Sequence, residues 1–504
     1  MTSVPTREPD FALSVSLSNV SGRTARVPAR LWLPEHPEDH VALSFSSGDV
    51  ALFALAHEPC DLEATLMGAK ERPQLSIRGT GVYLHDVTAK NIALDGPTKF
   101  TATATATADR LAVIRMLPPE NIAGRKRTRL RFDLTFNQLL APFQIVLNSH
   151  TGRRSIKTIQ RRKITVPGLG LIRFTNYYYE TSAPGSRGVT TCRRLIGEGG
   201  IDIPAMDVLD NEQSIRDAIE PLTLLVALAA RQATVIPSWS ATDKQHHVSC
   251  YAGNIFRPSY RSNSSHHDLL IDESEFNQFV IAGLGTFGLL DPYNKEIVKR
   301  TIYKVLPDPD KTIETRFLSL FSALESLVLV FRRHNDLEFT ISDPLLWKEL
   351  AGDFKSFVKQ HRVWSSCENA KLLLATLPAL RRIPLKYAFA AYCKHYQLDM
   401  SDLWPTFGDG VVSLSTIRNK LMHNDAYPRV ALDALIRAKS NLEVTVERML
   451  VVALGWPIEN TKVRPISLKS LGWKANASID QDMRTLATAI SNNVFEHSDD
   501  RPIA

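Results

Sequence analysis

The stretch "LSTIRNKLMHNDAY" (414–427) places Arg418 and Asn419 side by side, with His423 four residues after the asparagine. Those residue types suit phosphoryl chemistry. A guanidinium fork can hold phosphate oxygens, and an imidazole, with an ordinary pKa of about 6.5, can take or give a proton at neutral pH. Cutting RNA without a metal needs a base for the 2′-OH proton, an acid for the leaving 5′ oxygen and a cation over the phosphoryl oxygens. One Arg and one His make half of that set, and two copies would complete it. At about 100° per residue, Asn419 and His423 share one helical face, whereas Arg418 and His423 lie about 140° apart. Within one chain the pair therefore meets only if Arg418 reaches around or the helix is irregular, while a symmetric dimer would bring both pairs to one groove. Spacing alone proves little, because Arg261/His266, Arg30/His36 and Arg78/His85 come close to repeating it. What sets 418–423 apart is the asparagine, the apolar neighbours Val412, Leu414, Ile417 and Leu421, and a place just before the last long helical stretch. The plain alternative is a helix whose Arg and His make surface contacts.

Other constellations are weaker. His246, His247, Cys250, His266 and His267 could serve a metal, and a zinc-dependent hydrolase built on them is a competing reading. The cluster lacks a second clean ligand pair, however, and adjacent histidines on a strand point to opposite faces, so no metal site is expected. Asp308, Asp310 and Glu314 suggest a metal-dependent nuclease only until the missing acid-x-lysine strand is noticed; a helix cap and an acidic first turn explain them better. "FVIAGLGTFGLL" (279–290) lacks the lysine of a P-loop and the spacing of a dinucleotide loop. Basic clusters at 124–131 and 152–163, followed by "FTNYYYE", would suit a nucleic-acid track, with Arg125, Lys126 and Arg127 as candidate contacts beside Lys420 of the helical motif. Charged strand edges that resist aggregation are the plain alternative.

These residues must be positioned by more than one core, since 504 residues exceed a single domain. Residues 1–205 read as strands, because short apolar and β-branched runs alternate with turn residues; a sandwich or barrel is expected, with "TATATATA" (101–108) as an edge strand or one lying on another backbone. Residues 206–300 read as a mixed α/β continuation that includes a buried helix around "PLTLLVALAA" (221–230). From 310 to 460 the periodicity is helical: Phe317, Leu320, Phe321, Leu324, Leu327, Val328 and Phe331 form one apolar stripe, with Glu325 beside it. Residues 461–504 read as an extension with a loose tip. The expected class is α+β multidomain, a β-rich N-terminal region followed by an all-α bundle. A net charge of +7 permits an anionic partner without demanding one. Five scattered cysteines without a CxxC pair suit reduced thiols, and neither an export signal nor a membrane-length apolar run is visible, so a soluble, cytoplasmic protein is expected.

"FSALESL" on the first long helix, "LSTIRNKLMHND" on a late one and "SNLEVTVERMLVVALG" on the closing helix together resemble the HEPN domain, specifically the ApeA-like HEPN proteins of bacterial anti-phage defence. The family signature, Arg-Asn-x-x-x-His, is matched by Arg418, Asn419 and His423, and the resemblance covers roughly residues 310–460. It implies a metal-independent endoribonuclease without cofactor, working as a homodimer with its site at the HEPN–HEPN interface. His423 would be the general acid/base, Arg418 would stabilise the transition state, Asn419 would orient substrate or histidine, and Glu325 would hold Arg418 by a charge-assisted hydrogen bond. The target would be host or phage RNA, tRNA among the candidates, cut to a 2′,3′-cyclic phosphate in abortive infection. The N-terminal region would then sense a phage-derived trigger. Some HEPN domains are catalytically inactive and serve as RNA- or protein-binding dimerisation modules, which is the alternative the resemblance leaves open.

Overall fold

The computed structural model describes residues 8–33, 41–47, 52, 55, 58–67, 73–92, 99–118, 127–135, 137, 139–140, 143–147, 154–158, 162–182, 189–252, 269–308, 311–360, 367–408, 412–423, 427–470 and 475–496. The chain divides into two compact units, Met1–His267 and Asp268–Ala504.

In the first unit, six antiparallel strands close on themselves. They are β1 (Phe11–Asn19), β2 (Thr24–Trp32), β3 (Ala42–Ser47), β4 (Cys60–Met67), β5 (Pro73–Ile92) and β6 (Lys99–Met116), in the ring order β6-β3-β2-β1-β4-β5 with β5 hydrogen-bonded back to β6. Every second residue points inward, as the two-residue period of a strand requires: Val15 and Leu17, Val27, Ala29 and Leu31, Leu43 and Phe45 fill the interior. A ring of six strands leaves a narrow interior, and the alternating Thr-Ala run supplies the small side chains it needs. Ala102, Ala104, Ala106 and Ala108 are each no more than 2% exposed, whereas Thr103 faces out. The run is therefore not an edge: β6 pairs with β5 along one side and with β3 on the other. The alanines looked like weak packing only because the wall opposite them could not be seen in the sequence.

Strand β7 (Thr128–Leu134) is followed by a separate hairpin, β8 (Phe143–Leu147) with β9 (Arg154–Thr158). The sheet then extends through β10 (Lys163–Val166), β11 (Gly170–Ser182), β12 (Val189–Ile201), β13 (Ser238–Thr242) and β14 (His246–Ala252). Its order is β10-β11-β12-β7-β13-β14, and β14 pairs with residues 110–116 of β6, so barrel and extension are one hydrogen-bonded sheet. Helices α1 (Ala205–Asp210) and α2 (Glu212–Ala230) carry its cover; Leu222 and residues 224–230 are buried, and the helix runs through Pro221 to a left-handed cap at Arg231.

The second unit is helical. Its described α-helices are α3 (Phe276–Leu289), α4 (Pro292–Val305), α5 (Ile313–His334), α6 (Pro344–Gln360), α7 (Cys367–Leu380), α8 (Leu385–His395), α9 (Leu414–Met422), α10 (Leu432–Ala453), α11 (Pro465–Ser470) and α12 (Ala475–Glu496). The seven-residue apolar stripe of α5 is buried throughout, packed among α4, α8, α9 and α10. Buried arginines tie the bundle together. The Arg448 side chain, fully buried, donates to both Asp402 carboxylate oxygens at 2.6 and 2.7 Å and to the Val463 carbonyl at 2.8 Å. Arg316 donates to the Lys304 and Leu306 carbonyls at the end of α4, at 2.6 and 2.7 Å. Two expectations shift here. The helical unit starts at Asp268, well before 310, because "FVIAGLGTFGLL" is helix α3, whose glycines dilute its periodicity. Part of the expected C-terminal extension is the 22-residue helix α12, anchored where Arg437 on α10 pairs with the buried Asp482.

Candidate active site

Helix α9 begins where the sequence allows it. Ser413, itself buried, caps the helix by accepting from the Thr416 N–H at 3.3 Å, and the segment before it is held by Trp404 Nε1 donating to the Val412 carbonyl at 2.8 Å. Leu414, Ile417 and Leu421, at spacings of three and four, turn inward. The opposite surface carries Arg418, half-buried, and Asn419, exposed. His423 is the exposed C-cap, with φ −88° and ψ 14°, and its N–H reaches the Asn419 and Lys420 carbonyls at 3.3 and 3.1 Å. The helix thus ends at the histidine, whose side chain still leaves the helix on a different side from that of Arg418.

The Arg418 guanidinium is held from two sides. Nη2 donates to Glu325 Oε1 on α5 at 3.3 Å, and Nη1 donates to Asn419 Oδ1 at 3.2 Å. Its carbon lies 5.9 Å from the centre of the Phe321 ring. Both partners of the ion pair are about one-third exposed, at 32% for Arg418 and 37% for Glu325, so the pair adds at most about 1 kcal/mol to stability. Its effect is to aim the guanidinium.

A second cation, passed over in the sequence, stands near Glu325. Lys304 on α4 donates to Ser322 Oγ at 2.8 Å. Burial lowers its pKa, the Glu325 carboxylate opposes that shift and Arg300 adds to it. Its only signal in the sequence is a lysine in the last turn of an amphipathic helix.

The other candidates separate. Lys420 is buried, with its ammonium 5.8 Å from the centre of the Tyr427 ring, which leaves little of it to meet a polyanion. Arg125 and Lys126 lie outside the described residues; Arg127 is exposed and grips Asp202, with Nη2 to Oδ2 at 2.9 Å. His247 bonds Thr242 and Ser249, while His246 sits 3.9 Å from Asp243; His266 and His267 lie outside the described residues. Among the described residues no three His, Cys, Asp or Glu side chains group as metal ligands, and no helix is long and apolar enough to cross a membrane. Cys250 is instead part of a buried polar knot. Glu212 accepts from Trp239 Nε1 at 3.0 Å and from Arg216 Nε at 2.7 Å and pairs with Arg110, and the Cys250 thiol approaches it at 3.3 Å. Burial, then the Glu212 charge, pushes that thiol up to about 12, which keeps it protonated near neutral pH. Set against family models, curated proteins and solved structures, the chain returns no match.

Proposed function

We propose that the helical unit is an HEPN-type, metal-independent endoribonuclease of anti-phage defence, active as a homodimer. The observation that carries this reading is the held guanidinium of Arg418, fixed by Glu325 and Asn419 on the same short helix whose exposed end is His423. The reaction is attack of a ribose 2′-OH on the adjacent phosphorus with departure of the 5′ oxygen, leaving a 2′,3′-cyclic phosphate and a 5′-hydroxyl. The 2′-OH proton goes to one base and the leaving oxygen takes a proton from one acid. A single chain brings one histidine of the motif, so the second proton transfer falls to His423 of another copy. Arg418 offsets charge on the phosphoryl oxygens. Exposed Met422 within the motif, and Val430, Leu432 and Ile436 soon after it, give a second copy apolar surface to cover. Host or phage RNA is the substrate class, tRNA included, and the first unit is the sensor of a phage-derived trigger.

Arg418→Ala and His423→Ala should each abolish cleavage and phage protection while the protein remains folded and dimeric. Cleavage should continue in excess EDTA and map to 2′,3′-cyclic phosphate ends. RNA profiles that do not differ between wild type and His423→Ala would overturn the nuclease and leave an RNA- or protein-binding dimerisation module, a role in which the Arg418–Glu325 pair only braces the bundle.

A further inference from the structure

The first unit carries a polar cup that none of the chemistry above uses. On β7, Arg129, Arg131 and Asp133 share one face, while Leu130, Phe132 and Leu134 are buried on the other. Antiparallel register sets Ser240 opposite Arg131 and Thr242 opposite Arg129 on β13, and Ser249 and His247 opposite those on β14. A third row runs Asp133, Ser238, Tyr251. Small hydroxyl residues on the middle strand, with Arg129 and Arg131 on one side and His247 and Tyr251 on the other, leave an open concavity of about 390 Å³. That lies in the range of small-molecule sites, roughly 300–1,000 Å³.

The two ends of the cup differ chemically. At one end the Arg129 side chain, 58% exposed, gives one Nη to Glu198 at 2.6 Å, and His247 hydrogen-bonds Thr242 at 2.7 Å and Ser249 at 3.0 Å. Arg131, one two-residue repeat along, has Asp133 3.6 Å away, too far for a hydrogen bond but close enough to steer the guanidinium. At the other end stand the Tyr251 ring and the Asp133 carboxylate, which accepts from Ser238 Oγ at 2.9 Å. Two arginines whose backbones are about 7 Å apart along one strand offer guanidinium donors suited to phosphate oxygens. An aromatic ring on β14 facing a carboxylate on β7 across Ser238, about 10 Å apart at the backbone, suits a base that stacks at one edge and donates an amine at the other, and the serine floor suits ribose hydroxyls. The outer rows are about 13 Å apart, a length that fits one nucleotide laid across them.

We infer that this cup binds a nucleoside monophosphate, phosphate toward Arg129 and Arg131 and base toward Tyr251, either as a free nucleotide or as the phosphorylated end of an RNA. This inference is independent of the ribonuclease reading, because every readout is binding. Full-length protein should bind AMP, by calorimetry, more tightly than adenosine or inorganic phosphate alone. Arg131→Gln should weaken AMP binding by about tenfold or more. Ser240→Tyr, which keeps every charge and fills the floor, should abolish it, with melting temperature checking that each variant is folded. A 5′-phosphorylated RNA pentamer set against its 5′-hydroxyl twin separates the sources: a preference for the phosphorylated pentamer without AMP binding, lost in both variants, supports the RNA end as the ligand. The inference is overturned if neither AMP nor the phosphorylated pentamer binds below about 1 mM, if inorganic phosphate binds as tightly as AMP, or if binding survives both substitutions.

Discussion

Arg418 is useful only if its guanidinium waits in one place, and Glu325 is what makes it wait. An exposed ion pair of this kind contributes little stability, so removing its charge separates aim from folding. Glu325→Gln should leave the unfolding free energy within about 1 kcal/mol of wild type and lower RNA cleavage by about tenfold, the cost of one charge-assisted hydrogen bond. Unfolding curves beside a cleavage time course test it; unchanged cleavage would remove Glu325 from the site. At this scale the sequence was most readable. Arg418, Asn419 and His423 fall on the exposed side and end of one helix because Leu414, Ile417 and Leu421 fix which side is inward. Lys304 was not readable, because its proximity to Glu325 depends on how α4 packs against α5.

Among the elements, local periodicity carried the helices and failed for the sheet. The stripe of α5 was visible in the sequence because a helix's neighbours are three and four residues away. Helix α3 was hidden by its glycines, and α12 by its polar sequence. Barrel closure was out of reach in principle: β5 and β6 form a local hairpin, but the pairing of β3 with β6, and of β1 with β4, joins residues tens of positions apart. The alanines of β6 record that closure once it is known. Ala104→Leu adds bulk inside a full ring and should destabilise the first unit by about 1–3 kcal/mol or more. Thr103→Val, on the outer face, should stay within about 0.5 kcal/mol. Equal effects in chemical denaturation would mean that the interior is not close-packed.

For the whole molecule, acid should act on the first unit through Glu212. Burial alone would raise its carboxyl pKa, but the Trp239 N–H and the Arg216 and Arg110 guanidiniums outweigh burial and hold it below the ordinary glutamate range. The unfolded chain then binds the proton first, so this contribution is present above about pH 4.3, the unfolded value, and is lost as pH falls through the lower folded value. The melting temperature of the first unit should drop across that interval, and Glu212→Gln should flatten the drop. A slope identical in both proteins would assign acid sensitivity elsewhere.

Strand β6 has one long edge on β5 and divides its other edge between β3 and β14. The barrel and the cup-bearing extension therefore have no seam between them. A ligand pressing on β14 pushes directly on the barrel wall, with no hinge to absorb the load, so the first unit would pass on occupancy of the cup as a change in stiffness. Amide hydrogens of β6 should accordingly exchange only when the entire unit opens, and a bound nucleotide should slow them together with those of β14.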